Sequence, residues 1–368
     1  MASADWEASM LLARAPVRVS LAGGGTDLES YYSRFSGMVV NGAIDKYFYS
    51  FITPSDGDGV HISSSDYRAF YRWSQEEKPI WDGDLRLPRA ILHEFGINEG
   101  FSVFLASEIP PATGLGSSSA VSVALVKALS TLRGYRLTPA QVAEMAAHLE
   151  IEKLGGVGGK QDQYAAAFGG LNAIYFERGG VTVERLTLSA SLRGRLESRL
   201  LLFFTGASRA ANEILRQQRR SMDRSDQEVL ASLHGIKASA EEVRKALLAG
   251  RLREVGEIMH ESWQLKKRLS RSVSNPRIDD IYERARAAGA VGGKMTGAGG
   301  GGFLLLYCEP ENQPALCAEM KALGLYHMDF HFDTGGAKVL VNSSTLAPEA
   351  RGLSLSRGVP RCPRVLVH

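Results

Sequence analysis

A chain of mixed strands and helices in two domains is expected from three features of the sequence. Its 368 residues exceed what one ordinary hydrophobic core serves. Short runs with strand alternation, such as VRVSL and FSVFLAS, recur along the chain. Between them stand segments with helical apolar spacing, marked at their ends by capping residues and glycines.

Taken in order, residues 1 to about 10 read as an unstructured leader. Ala15 to Leu21 alternates as a half-buried strand until Gly23–Gly25 break it, and Tyr47 to Thr53 and Phe101 to Ser107 are further strands. The Ala-rich run from Ala120 reads as a helix ending near Gly134. For the next helix, Thr138 is the cap, Pro139 suits the first position and Gln141 completes a capping box. Val142, Met145, Ala146 and Leu149 form its apolar stripe, and Gly155 and Gly156 stop it. Arg199 to Gly206 is a strongly apolar strand expected to open the second domain. A second capping box, Ser225 with Glu228, precedes a stripe at Leu230, Leu233 and Ile236. A helix runs from Asn275-Pro276 to Gly289, and GGKMTGAGGGG leads into the buried strand FLLLY. The Arg-, Ser- and Pro-rich tail from about Thr345 is expected to be poorly ordered.

A net charge of +3 is nearly balanced, which excludes the basic stripe of a nucleic-acid binder while suiting anionic small molecules. Cys308, Cys317 and Cys362 are too few and too scattered for a metal knuckle, and they point to a reducing compartment. No apolar run approaches the ~18 residues of a membrane span, and no secretory signal is visible. The expectation is a cytoplasmic monomer or homodimer with a small-molecule substrate, without membrane or nucleic-acid partners.

The stretch PPATGLGSSSA (Pro110 to Ala120) places glycines and hydroxyls just ahead of a helix. Backbone N–H groups at such a turn, with the helix dipole, favour an anion. Read alone, it is equally a strand–helix turn with serine caps. Two other phosphate loops do not fit. Gly159-Lys160 is followed by Gln161 and Gly293-Lys294 by Met295, so neither is a Walker A loop. Gly297, Gly299 and Gly302 match G-x-G-x-x-G, but they precede a strand rather than a helix.

Together, APVRVSLAGGGTD, PPATGLGSSSA and KMTGAGGGGF resemble, in order and spacing, the three motifs of the GHMP kinase family. The resemblance spans about Arg14 to Asn342. AGGGTDLESYY, KMTGAGGGGFLLLY and HESWQLKKRLSRSVSN are most similar to the bacterial heptose phosphate kinase branch, and Gly25 argues against fucose kinases, which typically carry Trp there. The resemblance implies an α+β fold with a ribosomal-protein-S5-like amino-terminal domain (11–195) and a ferredoxin-like carboxy-terminal domain (196–344), the active site between them. It implies ATP and Mg2+ as cofactors and a sugar phosphate as substrate, D-glycero-D-manno-heptose 7-phosphate, phosphorylated at C1. Another GHMP kinase activity, on fucose or galactose, and a catalytically silent homologue are the alternatives.

Phosphoryl transfer needs positioning, charge neutralisation and a group to take the attacking hydroxyl's proton. By resemblance, Asp162 in KQDQY takes that proton and Arg18 stands near the transferred phosphoryl group. Pro111, Gly114, Leu115, Gly116, Ser117, Ser118 and Ser119 hold the nucleotide. Ser118 and Glu150 carry the magnesium ion, with Glu152 the alternative carboxylate; such a sparse oxygen set suits the ion. Thr26 and Asp27 hold substrate hydroxyls, although they also read as an Asx-type turn. For a distal substrate phosphate the candidates are Arg209, Lys266 and Lys267. The late glycine turn, Gly297 to Gly302, is expected to pack beside the phosphate loop.

Overall fold

The computed structural model describes residues 10–55, 59–66, 68–73, 83, 85–98, 100–206, 211–223 and 226–343. The leader, the tail, Arg209 and Ser225 lie outside them.

Two sheets organise the chain. The first contains β1 (Leu11–Ala22), β2 (Gly37–Pro54), β3 (Val60–Ser64), β4 (Ala69–Trp73), β5 (Phe101–Ser107), β6 (Leu171–Glu177) and β7 (Gly180–Arg185). The second is built from β8 (Leu200–Phe204), β9 (Ala290–Met295), β10 (Phe303–Cys308) and β11 (Tyr326–Met328), in the order β11-β8-β10-β9 with every pair antiparallel. Helices separate β8 from β9 and β10 from β11, while β9 and β10 are joined directly. That is the β-α-β-β-α-β order of a ferredoxin-like unit. The α+β class expected above therefore holds.

A last strand, β12 (Lys338–Asn342), does not stay with the second sheet. It returns to pair antiparallel with β1, Leu11 opposite Asn342. This strand, within the expected carboxy-terminal domain (196–344), closes an otherwise open edge of the first sheet beside β1, satisfying its N–H and C=O groups.

β2 is much longer than the Tyr47–Thr53 strand expected. Its first half pairs with β6 and its second half with β5. From Gly37 to Ile44 every residue is buried, so no alternation marks that half. Val17, Arg18 and Val19 are likewise all buried, because the helices Ser117–Leu132 and Gln161–Phe168 cover the sheet at β1.

The capping box before the helix Pro139–Ala147 is present in full: Thr138 N–H donates to Gln141 Oε1 at 2.9 Å and Gln141 N–H to Thr138 Oγ1 at 3.3 Å. That helix does not run straight to Gly155. It widens at His148–Lys153 into a π turn, in which Leu154 N–H reaches back to the Leu149 carbonyl. The helix Gln227–Leu248 is capped by Asp226, whose carboxylate accepts from Glu228 and Val229 N–H, one residue beyond the expected Ser225. The helix Pro276–Ala287 starts where expected, and Asn275 caps it. No helix among the described residues is long and apolar enough to cross a membrane.

Candidate active site

The three glycine-bearing stretches meet in one cleft of about 570 Å3. The middle one forms its floor. Gly116 adopts a left-handed conformation (φ +78) and starts the helix Ser117–Leu132 with no side-chain cap. The first N–H groups of that helix therefore face the cleft without an intrahelical or side-chain partner, the arrangement that receives an anion. Pro111, Gly114, Gly116, Ser117, Ser118 and Ser119 line the cleft. Leu115 does not: its side chain is fully buried, and its carbonyl accepts the Arg18 N–H at 3.0 Å. An apolar residue here anchors the loop to β1, leaving the glycines and serines at the surface of the cleft.

The late glycine turn supports this floor, as expected. Phe303 N–H donates to the Thr113 carbonyl, and a Cβ placed on Gly297 would lie 2.7 Å from Gly114 Cα. Only glycine allows backbones to pass this closely.

Arg18 reaches the cleft from β1. Its Nε and Nη2 both donate to Asp162 Oδ1, at 2.7 and 2.6 Å, and its Nη1 to the Gly114 carbonyl at 2.7 Å. Asp162 stands in the first turn of the helix Gln161–Phe168, against the phosphate loop: a Cβ on Gly116 would be 3.0 Å from its Oδ2. Among the described residues Oδ2 accepts no hydrogen bond, so it is the oxygen open to a proton. The neighbouring Gln163 turns the other way and donates to Glu150 Oε2 at 2.8 Å.

Glu150 sits in the π turn and accepts from Ser118 at 2.7 Å and from Ser119 at 3.0 Å. Burial pushes its carboxyl above the ordinary range, and the Ser118, Gln163 and Ser119 donors counter part of that shift. Glu152 points elsewhere, pairing with His148 at 2.7 Å on an exposed face. Among the described residues no group of three His, Cys, Asp or Glu is arranged around a metal. A carboxylate and a hydroxyl beside open helix N–H groups are instead the sparse oxygen set that magnesium shares with phosphates.

The first motif closes the other side. Thr26 is fully buried with its hydroxyl committed to the backbone, donating to the Gly23 and Met38 carbonyls and accepting the Met38 N–H. It shapes the loop and does not line the cleft. Asp27 does line it, accepting N–H bonds from Gly25 at 2.9 Å and Gln161 at 3.4 Å, and burial raises its carboxyl. Of the cations expected for a distal phosphate, Lys267 turns away to Asp279 at 3.3 Å, whereas Lys266 is buried in the cleft and donates to the Gly297 carbonyl. Burial and the nearby Arg18 push the Lys266 amine down to about 8.

Sequence reasoning missed Ser20, Gln161, Gln163, Arg86, Arg216 and Gln218, which all line the cleft, and the buried Lys294 behind it. One signal was available: Lys294 interrupts an otherwise uncharged strand, AVGGKM, whose every residue is buried.

Residues 85–170 match the family described as GHMP kinases N terminal domain, and residues 243–324 that described as GHMP kinases C terminal. A D-glycero-alpha-D-manno-heptose 7-phosphate kinase of Campylobacter jejuni is 32% identical over 88% of this chain and 96% of its own length. Among solved structures, a D-glycero-D-manno-heptose 1-phosphate kinase from Bacteroides thetaiotaomicron superposes with a TM-score of 0.76 at 28% identity, covering 91% of this chain and all of that one. A protein from Campylobacter jejuni described as a sugar kinase gives 0.72 at 31% identity, over 90% and 98% of the two chains.

Proposed function

The chain belongs to the GHMP kinases and is an ATP-dependent phosphotransferase acting on a sugar hydroxyl, and from that premise we propose that it phosphorylates the C1 hydroxyl of D-glycero-D-manno-heptose 7-phosphate. The 1,7-bisphosphate formed would serve the synthesis of nucleotide-activated heptose. The phosphotransfer in this reading is carried by the Arg18–Asp162 pair, 2.6 Å apart and set against the uncapped start of the helix Ser117–Leu132; the choice of sugar is supported by the likeness to the Campylobacter jejuni heptose 7-phosphate kinase.

The residues present fit both cofactors. Gly114, Gly116 and Ser117 to Ser119 would hold the nucleotide phosphates, and Ser118 with Glu150 the magnesium ion. Bound there, ATP supplies the phosphoryl group and the ion neutralises its charge. Asp162 Oδ2 takes the proton of the acceptor hydroxyl as that oxygen attacks. Arg18 fixes Asp162 through Oδ1 and presents positive charge where the transition state gathers negative charge. Asp27 holds acceptor hydroxyls, and Thr26 sets the loop that presents it. Lys266 supplies the cation for the substrate's own phosphate.

Glu150→Gln is expected to raise the magnesium concentration needed for half-maximal velocity by roughly tenfold or more, the scale on which even outer ligand partners matter. Sugar KM should change little. Glu152→Gln should stay within about twofold on both measures; the reverse pattern would move the metal role to Glu152.

The substrate is tested by ADP release from the purified protein with magnesium and ATP, across heptose 7-phosphate, fucose, galactose and mannose. Selective turnover of the heptose phosphate is expected. Turnover of a free sugar alone would discard the phosphate-binding role, and none at all would favour a silent homologue. The pH profile adds a sign. Lys266 carries its charge below about pH 8, so KM for the phosphorylated acceptor should climb as pH rises through that value, and Lys266→Met should flatten the climb. Because the folded chain binds fewer protons than the unfolded one between about 8 and 10.5, the Lys266 contribution to stability rises with pH over that window.

A further inference from the structure

The triple glycine contains one member that its backbone does not explain. Gly23 (φ +86) and Gly25 (φ +106) are left-handed, and a Cβ on either would meet a neighbour at 2.9 Å or less. Gly24 has no positive φ, and its missing Cβ leaves space bordered by three polar atoms: Ser20 Oγ at 3.4 Å, Gln161 Nε2 at 3.6 Å and Lys294 Nζ at 4.0 Å. Ser20, Gln161 and Lys294 are only 3%, 8% and 2% exposed. Ser20 Oγ and Gln161 Oε1 are buried with no hydrogen-bond partner among the described residues. Buried polar atoms left without partners beside such a space are costly to the fold unless a ligand completes them.

We propose that Ser20, Gln161 and Lys294 form a specificity subsite over Gly24 that receives one hydroxyl oxygen of the polyhydroxylated acceptor. This deepens the reading given under Proposed function and rests on it. A hydroxyl fits this space. Lys294 Nζ and Gln161 Nε2 face it as donors and Ser20 Oγ can accept, so an oxygen that accepts from the first two and donates to the third satisfies all three. Burial, with Lys266 and Arg18 nearby, pushes the Lys294 amine well down, so placing a positive charge there is disfavoured before a ligand arrives.

Two variants test the subsite. In Gly24→Ala the new methyl meets its neighbours at ordinary van der Waals distances, so the chain should fold with an unchanged Tm while the methyl occupies the hydroxyl's place. Acceptor KM should rise about 10- to 100-fold, the scale of losing two neutral hydrogen bonds, and ATP KM should stay within about twofold. Lys294→Met should raise acceptor KM similarly and raise Tm, because it removes an amine whose burial is costly; a merely structural lysine would lower Tm and leave KM alone. One deoxy analogue of the accepted sugar should bind more weakly to the wild type and lose nothing further in Lys294→Met. Unchanged acceptor KM in both variants, a parallel rise in ATP KM, or an unfolded Gly24→Ala chain overturns the subsite alone. A wild-type protein that phosphorylates no sugar overturns the proposed function, and the subsite with it.

Discussion

Asp162→Asn is expected to lower turnover by roughly 10²–10⁴-fold, the contribution of a positioned general base, with ATP affinity largely retained. The substitution keeps the shape of the side chain and an oxygen at the Oδ1 position, so Arg18 can still donate to it. What changes is the oxygen that faces the phosphate loop. Oδ2 has no partner among the described residues and lies beside Gly116, where an amide N–H₂ would offer protons instead of accepting one. Steady-state kinetics together with nucleotide binding and Tm separate the outcomes. Turnover within about twofold of wild type would remove Asp162 from the mechanism. A matching loss of nucleotide affinity would show that the residue shapes the loop.

The legible parts of this molecule were those whose signal is local or whose motifs travel together. Thr138, Pro139 and Gln141 specify a helix start within four residues, and the structure contains both bonds of that box. The glycine–serine turn was visible for the same reason. Arg18 and Asp162 are 144 residues apart, and no periodicity couples them; only the family resemblance placed them in one site. Where burial is complete on both faces, as from Gly37 to Ile44, alternation disappears and the strand went unread. The return of β12 to β1 was illegible because five alternating residues carry no label for a partner more than 300 positions away. The π turn at Glu150 follows an uninterrupted α-helical stripe, so its different register left no trace in the spacing.

A further regularity appears only in three dimensions. Gln161, Asp162 and Gln163 are consecutive, yet they serve three parts of the cleft. Gln161 borders the space at Gly24, Asp162 faces the phosphate loop, and Gln163 holds Glu150. The first turn of one short helix points successive side chains about 100° apart, so a single rigid element ties the Gly24 space, Asp162 and Glu150 together. Such sharing predicts coupled rather than additive losses when two of these residues are replaced together.

Arg18→Lys is expected to cost roughly 10²–10³ in turnover, on the scale of removing a preorganised donor from a charge-stabilising site, even though it keeps the positive charge. Arg18 makes two bonds to Asp162 Oδ1 and a third to the Gly114 carbonyl, all at 2.6–2.7 Å. Its planar fork is what spans the base on one side and the phosphate loop on the other. One ammonium on a flexible stem cannot hold both in that geometry. Lysine should therefore leave the Gly114 carbonyl or Asp162 without its donor, loosening the loop and raising ATP KM several-fold. Arg18→Met, which also removes the charge, should lower Tm further, because Asp162 then faces the cleft with no cation at contact distance. If Arg18→Lys kept turnover and ATP KM within about twofold, charge alone would suffice and the forked geometry would have no part in catalysis. If only Tm fell, the pair would belong to the fold.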